Sequence, residues 1–110
     1  MLFPGEEAVA NRNNTLLISA TYNEADGDPE CAASVTFCAA ALANLTSFYW
    51  RVSGSGYING QSNINCVSVT SQRSYYSSSS YTVSVTAYDG QGQAWYGSRS
   101  WDVQAEYLCD

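Results

Sequence analysis

The sequence contains neither lysine nor histidine, and its only cations are four arginines. Without histidine there is no Ser–His pair to activate a nucleophile, and without lysine there is no amine for a Schiff base. The ordinary metal triads of hydrolases also lack their imidazole ligands. The acidic loop at residues 23–30 could supply a carboxylate pair for glycoside cleavage, but a single small domain rarely forms the walled cleft that such a pair needs. We therefore expect a protein that is not an enzyme.

Charge is scarce and mostly negative. The formal net charge is -6, and charged residues make up 13% of the chain, against a usual share of roughly 25%. An acidic chain is repelled by nucleic acid and by anionic membranes, so we expect neither as a partner. No apolar run approaches the roughly 20 residues that a transmembrane helix needs, so we expect no membrane insertion.

The chain starts with MLFPGEEAVA, which has no basic n-region and no long apolar h-region. It therefore does not match a secretory signal peptide. Either Met1 was added to a mature domain, or the protein leaves its host without the secretory route, as a virus component would. The low charge and the many Ser, Thr, Asn, Gln and Tyr residues are common on secreted or particle-surface β-proteins. We expect an extracellular or virion-surface location.

The four cysteines form no CxxC motif; they are Cys31, Cys38, Cys66 and Cys109. A zinc site would need all four sulfurs from scattered positions, because there is no histidine. Disulfides are favoured over free or metal-bound thiols. Of the three connectivities, we expect a local Cys31–Cys38 bridge with a Cys66–Cys109 bridge, the alternative for Cys109 being a neighbouring chain.

Strict alternation is the main structural signal. In YTVSVTA (81–87) every second residue is apolar or aromatic and the others carry hydroxyls, which predicts a strand, and Asp89-Gly90 predicts a tight turn after it. Similar segments follow the same pattern at residues 15–22, 47–54, 64–71 and 93–107, and residues 8–10 suggest a leading edge strand. Short strands with Gly, Asn and Ser turns indicate one all-β domain over residues 1–110, an immunoglobulin-like sandwich of two antiparallel sheets.

The alternation also predicts the core of this sandwich. The expected core residues are Phe48, Trp50, Val83 and Val85. A tryptophan in the second central strand is typical of immunoglobulin-like folds. The stretch between the first strand and this tryptophan, residues 31–45, is ambiguous: its alanines permit a helical turn, and its Ser-Val-Thr-Phe permits a small strand.

Three segments resemble polycystic-kidney-disease (PKD) and cadherin-like repeats. TLLISATYNEADGDPE resembles their first core strand and acidic turn, SFYWRVSGSG the tryptophan strand and glycine turn, and YTVSVTAYDGQGQA the penultimate strand and its Asp-Gly hairpin. The cysteine-bracketed stretch 31–45 is an insertion relative to that pattern, and the glycine turn at 53–56 lacks the acid common in PKD repeats. The resemblance implies an extracellular module for spacing, adhesion or protein contact, usually without catalysis.

The acidic loop is the one charge cluster. Its carboxylates at Glu24, Asp26 and Asp28 are candidate ligands for calcium, which takes six to eight oxygens. The glycine and the bidentate glutamate of an EF-hand loop are missing from this segment. A solvated turn is the alternative, and we expect no other cofactor.

The chain has more tyrosines than one small core can bury. The outward residues of the strand at 81–89 are uncharged, and the chain has no lysine to guard an exposed face. The candidate interface residues are Tyr88, Trp95, Tyr96, Tyr75 and Tyr76. Exposed aromatic side chains bury against a protein partner or stack on sugar rings, while the simpler alternative is that they only cover the wet faces of the strands.

These observations predict a non-enzymatic surface module for protein–protein association. Two settings fit: a virion decoration or fibre protein, or a PKD-like module of a cell-surface adhesin or filament. A carbohydrate-binding module that uses the exposed tyrosines is the alternative. Two glycosylation sequons, at Asn13 and Asn44, are informative only in a eukaryotic host.

Overall fold

A computed structural model describes residues 14–23, 27–40 and 44–109. The described strands are β1 (Ile18–Tyr22), β2 (Ser34–Ala39), β3 (Leu45–Gly54), β4 (Gly56–Ile58), β5 (Cys66–Ser71), β6 (Ser79–Asp89) and β7 (Ala94–Val103). Two short 3-10 helices accompany them, at Pro29–Cys31 and at Glu106–Cys109. The leading strand expected at residues 8–10 lies outside the described residues.

The strands form two antiparallel sheets that pack face to face. One sheet has the order β1-β2-β5-β4 and the other the order β3-β6-β7. This is the arrangement of a seven-stranded, constant-type immunoglobulin sandwich, in which the first, second, fifth and fourth strands form one sheet. The predicted all-β sandwich of two antiparallel sheets is confirmed.

Alternation decides which side of each strand faces the other sheet. In β6 the odd-numbered residues from Tyr81 to Ala87 are buried, and the hydroxyl-bearing residues between them are half-exposed. The chain passes from one sheet to the other at Gly54, which has a φ of 95°. A Cβ at this glycine would lie 2.6 Å from the carbonyl oxygen of Ser80. Glycine is therefore required at the corner between β3 and β4.

An aromatic cluster lies at the centre of the core. The ring of Phe37 packs edge-on against Tyr81 and Trp101, with ring centroids 6.1 and 5.6 Å apart. Burial raises the pKa of the Tyr81 hydroxyl to about 12, while the nearby Ser71 hydroxyl acts in the opposite direction. Phe37 and Tyr81 come from different sheets, so their contact joins the two layers.

The structure places the residues predicted for the core as follows. Trp50, Val83 and Val85 are buried between the sheets, and Phe48 is half-buried and packs against them. The indole Nε1 of Trp50 donates a hydrogen bond to the carbonyl of Ile64 at 2.8 Å. The buried nitrogen thus has a partner, which removes most of the cost of burying it.

The ambiguous stretch 31–45 contributes an inner strand. Strand β2 lies between β1 and β5, and it supplies Val35 and Phe37 to the core. A 3-10 helix precedes this strand at Pro29–Cys31, where the carboxylate of Asp28 accepts a hydrogen bond from the backbone N–H of Glu30 at 2.9 Å.

The expected disulfide connectivity is wrong. The bridges are Cys31–Cys109 and Cys38–Cys66, with no free cysteine. Because β2 is extended, it carries Cys38 away from Cys31. Cys38 lies directly opposite Cys66 in the β2–β5 ladder, so the two side chains meet on the outer face of the sheet.

The Cys31–Cys109 bridge ties the end of the described chain to the first 3-10 helix. The backbone N–H of Gln104 also donates to the carbonyl of Glu30 at 2.9 Å, which brings the two segments together. Two disulfides indicate an oxidising, extracellular environment. None of the helices in the described part of the chain is long and apolar enough to cross a membrane.

Candidate interaction face on the three-stranded sheet

The outer side of the sheet β3-β6-β7 carries most of the exposed tyrosine on the strands. Tyr49 lies opposite Thr86 in the β3–β6 ladder, and Thr86 lies opposite Tyr96 in the β6–β7 ladder, so the three form one row across the sheet. Tyr49 and Tyr96 are 60% and 59% exposed, and Tyr88 on the next row is 38% exposed. We call this side the tyrosine face; its outward residues are Ser47, Tyr49, Arg51, Ser53, Ser80, Thr82, Ser84, Thr86, Tyr88, Ala94, Tyr96, Ser98, Ser100 and Asp102.

The tyrosine face is almost free of charge. Among its outward residues only Arg51 and Asp102 are charged, and Asp102 lies near the opposite end of the strands from the tyrosines. Exposed faces and edges of sheets are usually guarded by charged side chains, lysine above all. Of the outward residues of this face, only Arg51 places a charge near the tyrosines.

A shallow, open cleft of about 510 Å³ lies in the tyrosine face between β3 and β6. It is lined by Tyr49, Arg51, Ser84, Thr86 and Tyr88. The rings of Tyr49 and Tyr88 stand edge to face, with centroids 6.0 Å apart. The cleft therefore combines two tyrosine rings, the aliphatic hydroxyls of Ser84 and Thr86, and one guanidinium.

The guanidinium of Arg51 differs from those of the other described arginines. Arg73 donates to the backbone carbonyl of Cys31 at 3.2 Å, and Arg99 donates to the carbonyl of Ile18 at 2.8 Å. Both of these side chains fasten one segment of the chain to another. Within residues 14–23, 27–40 and 44–109, Arg51 has no hydrogen bond and no ion pair with another side chain.

The candidate Trp95 is not part of the tyrosine face. It lies opposite Ala87, on the inward side of β7, and it is half-buried against the core. Its indole N–H donates to the carboxylate of Asp89 at 3.2 Å. The other oxygen of that carboxylate accepts from the backbone N–H groups of Gln91 and Gln93, both at 2.9 Å. Trp95 thus helps to fix the β6–β7 hairpin beside Tyr88.

These hydrogen bonds predict how the hairpin responds to acid. The backbone N–H of Gln93, the indole of Trp95 and the backbone N–H of Gln91 together lower the pKa of Asp89. A carboxyl group with a lowered folded pKa contributes stability above its unfolded pKa of about 3.9 and loses it as the pH falls through the folded value. We expect the indole N–H resonance of Trp95 in NMR spectra to shift as the pH falls below about 4.

The substitution Asp89→Asn is the matched control for that titration. It should move the Trp95 resonance at neutral pH and remove its shift in acid, because the titrating group is gone. A Trp95 resonance in the native protein that stays constant down to about pH 2 would contradict the assigned role of Asp89.

The candidates Tyr75 and Tyr76 form a separate surface together with Tyr107. The rings of Tyr75 and Tyr76 have centroids 4.8 Å apart, and each lies 6.0 Å from the ring of Tyr107. The backbone N–H of Tyr107 donates to the carbonyl of Tyr75 at 3.0 Å, which fastens the loop to the C-terminal 3-10 helix. Four of the five predicted interface residues are therefore divided between two patches, and Trp95 lies in neither.

Sequence reasoning did not single out Tyr49 and Arg51 as site residues. Both lie on β3 at positions that alternate with the buried Trp50, so the pattern already placed them outward. The pattern could not show how β3 pairs with β6. That register places Tyr49 opposite Thr86 and Arg51 opposite Ser84.

The calcium prediction falls mostly on residues that are not described. Glu24 and Asp26 lie outside the described residues, and the carboxylate of Asp28 accepts the backbone hydrogen bond of the 3-10 helix. In the part of the chain that the structure describes, no three His, Cys, Asp or Glu side chains come together as a metal site.

Comparisons with protein-family models, with curated proteins and with solved structures give no match for this chain.

Proposed function

We propose that this protein is a non-enzymatic structural module of an extracellular surface, which associates with other protein subunits through its tyrosine face. The observation that carries the proposal is the continuous outward face of tyrosines and hydroxyls with hardly any charge. Tyrosine is enriched where proteins meet, whereas a large exposed aromatic patch on a free domain favours aggregation. A protein partner that covers this face would explain why it is rich in tyrosine and poor in charge.

Two settings suit a module of this kind. A virion decoration or fibre protein is small, exposed and low in charge. A PKD-like module of a cell-surface adhesin or filament accounts instead for the disulfides, for the glycosylation sequons and for the resemblance of the strands to PKD repeats. In both settings the tyrosine face serves assembly, so one experiment tests both.

The test uses the double substitution Tyr49→Ser and Tyr96→Ser, expressed in the native host. Aromatic anchors typically contribute roughly 2 kcal/mol or more each at an interface. We therefore expect the double variant to elute from size-exclusion chromatography as the free domain, while the native protein elutes in its assembly. The melting temperature should change by no more than a few degrees, because both side chains are exposed.

The matched control is Tyr57→Ser. Tyr57 is 48% exposed and lies on β4, in the other sheet. This variant should stay in the assembly. Retention of the double variant in the assembly, or loss of the Tyr57 variant to the same extent, would contradict the proposal.

A further inference from the structure

The cleft in the tyrosine face carries one positive charge. Its guanidinium, that of Arg51, has no acidic partner among the described residues, although the chain carries ten acidic residues against four basic ones. Its two tyrosine rings and two hydroxyls can pack against a planar polar group and hydrogen-bond to it. The complementary surface would therefore carry an aromatic ring and a carboxylate side by side.

A surface with those two features exists on the same chain. Tyr75, Tyr76 and Tyr107 form a cluster of rings that are 46%, 79% and 46% exposed. The exposed residue Glu106 immediately precedes Tyr107 in the chain, and its backbone N–H donates to the carbonyl of Ser74 at 3.0 Å. We call this patch, Tyr75, Tyr76, Glu106 and Tyr107, the tyrosine pole.

The tyrosine pole is held in place by covalent and hydrogen-bonded links. The Cys31–Cys109 disulfide anchors the 3-10 helix that carries Glu106 and Tyr107. The exposed carboxylate of Glu30 lies on the helix at the other end of this bridge. The neighbouring Arg73 is half-buried, and backbone carbonyls hold its guanidinium. The outward charges of the pole are therefore negative.

We propose that a second copy of this chain occupies the cleft, with its tyrosine pole packed on the tyrosine face of the first copy. In this contact the ring of Tyr76, the most exposed of the cluster, packs on the cleft against the exposed surfaces of Tyr49 and Tyr88. The carboxylate of Glu106 pairs with the guanidinium of Arg51. The inference rests on the proposed function and names the partner and the surface that the partner uses.

Charge complementarity favours a second copy. The two patches are complementary: the face carries the guanidinium of Arg51 beside its aromatic cleft, and the pole carries the carboxylate of Glu106 together with exposed rings. The two patches are different surfaces of one chain, so the contact is heterologous and leaves a free face on one copy and a free pole on the other. The net charge of -6 repels copies at long range, so association should be reversible and dependent on concentration.

Two charge reversals test the contact by sedimentation equilibrium of the pure protein. R51E and E106R should each weaken self-association on the order of tenfold, because each places like charges opposite one another. R51E makes the chain more negative, and E106R makes it less negative. If only the net charge mattered, R51E would weaken self-association and E106R would strengthen it. The proposed contact predicts instead that both variants weaken self-association.

Mixing the two variants provides the rescue. In the mixture, the acidic residue 51 of the R51E variant meets the basic residue 106 of the E106R variant, so the charges of the contact are exchanged but still opposite. An equimolar mixture should therefore associate more tightly than either variant alone. Tyr76→Ser should also weaken the association, while Tyr57→Ser should leave it unchanged. These variants are at exposed positions, so their folding is checked by melting temperature.

Three results would overturn this inference: a native protein that stays monomeric at about millimolar concentration, an E106R variant that associates as well as the native chain, or a mixture without rescue. The proposed function would survive each of these results, provided that the double variant Tyr49→Ser and Tyr96→Ser is still released from the native assembly. That combination would assign the tyrosine face to a different subunit. Failure of both experiments would remove both proposals.

Discussion

Replacing Trp50 with alanine is expected to lower the free energy of unfolding by about 3–5 kcal/mol. The indole is 6% exposed and lies opposite Val85 in the β3–β6 ladder. The substitution leaves a cavity between the sheets, and it removes the hydrogen-bond donor of the Ile64 carbonyl. Since domains of this size have a free energy of unfolding of about 5–15 kcal/mol in total, the variant should lose a large fraction of its stability.

The measurement is denaturant unfolding of the variant beside the control Tyr49→Ala. Tyr49 is the chain neighbour of Trp50 but points outward, so its truncation should change the unfolding free energy by about 0.5 kcal/mol or less. A Trp50→Ala protein that unfolds within about 1 kcal/mol of the native one would show that Trp50 is not a core residue.

Removing the Cys31–Cys109 bridge by double alanine substitution should cost about 4–5 kcal/mol in the chain-entropy account of disulfides. The bridge links residues 78 apart, and its loss frees the ends of a long loop in the unfolded chain. It also releases the C-terminal 3-10 helix, which holds Tyr107 against Tyr75. The melting temperature should fall by tens of degrees, given about 4–8 °C for each kcal/mol.

The Cys38–Cys66 bridge provides the matched control, because it links residues only 28 apart. Its removal should cost about 3–4 kcal/mol on the same account. It should leave the ring contacts of the tyrosine pole intact, as followed by the Tyr107 ring resonances in NMR spectra. Peptide mapping that recovers a Cys31–Cys38 fragment, or equal disturbance of Tyr107 by both removals, would contradict the assigned connectivity.

The strands and the core were predictable because their signals are local. The period of two in residues 81–87 predicts the strand β6 and the burial of Val83 and Val85 from neighbouring residues alone. The same holds for Trp50 on β3. The two sheets follow, because several such segments separated by turns have few other ways to bury their apolar sides.

The disulfides and β2 were harder to predict because they depend on contacts between distant segments. The side chain of Cys38 meets that of Cys66 only because β2 and β5 pair in one particular register. A shift of that register by one residue would move the two cysteines apart. Nothing near Cys38 in the sequence specifies that register, and the proximity of Cys31 in the chain suggested the wrong partner.

The same distinction applies to the candidate site. The outward direction of Tyr88 and Tyr96 follows from alternation, but the grouping of Tyr88 with Tyr49 and Arg51 follows from strand order. Trp95 was proposed for the same surface as Tyr88 and Tyr96, but the structure places it on the inward side of β7. In a strand, neighbouring residues face opposite sides, and Trp95 packs inward.

Hydroxyl-radical footprinting with mass spectrometry tests the central claim most directly. Oxidation of Tyr49, Tyr96 and Tyr57 is compared between the isolated domain and the native assembly. We predict that Tyr49 and Tyr96 are oxidised readily in the isolated domain and are protected in the assembly, while Tyr57 is oxidised in both. Oxidation of Tyr49 and Tyr96 in the assembly at the rate of the isolated domain would contradict the claim that the tyrosine face is where this protein meets its partner.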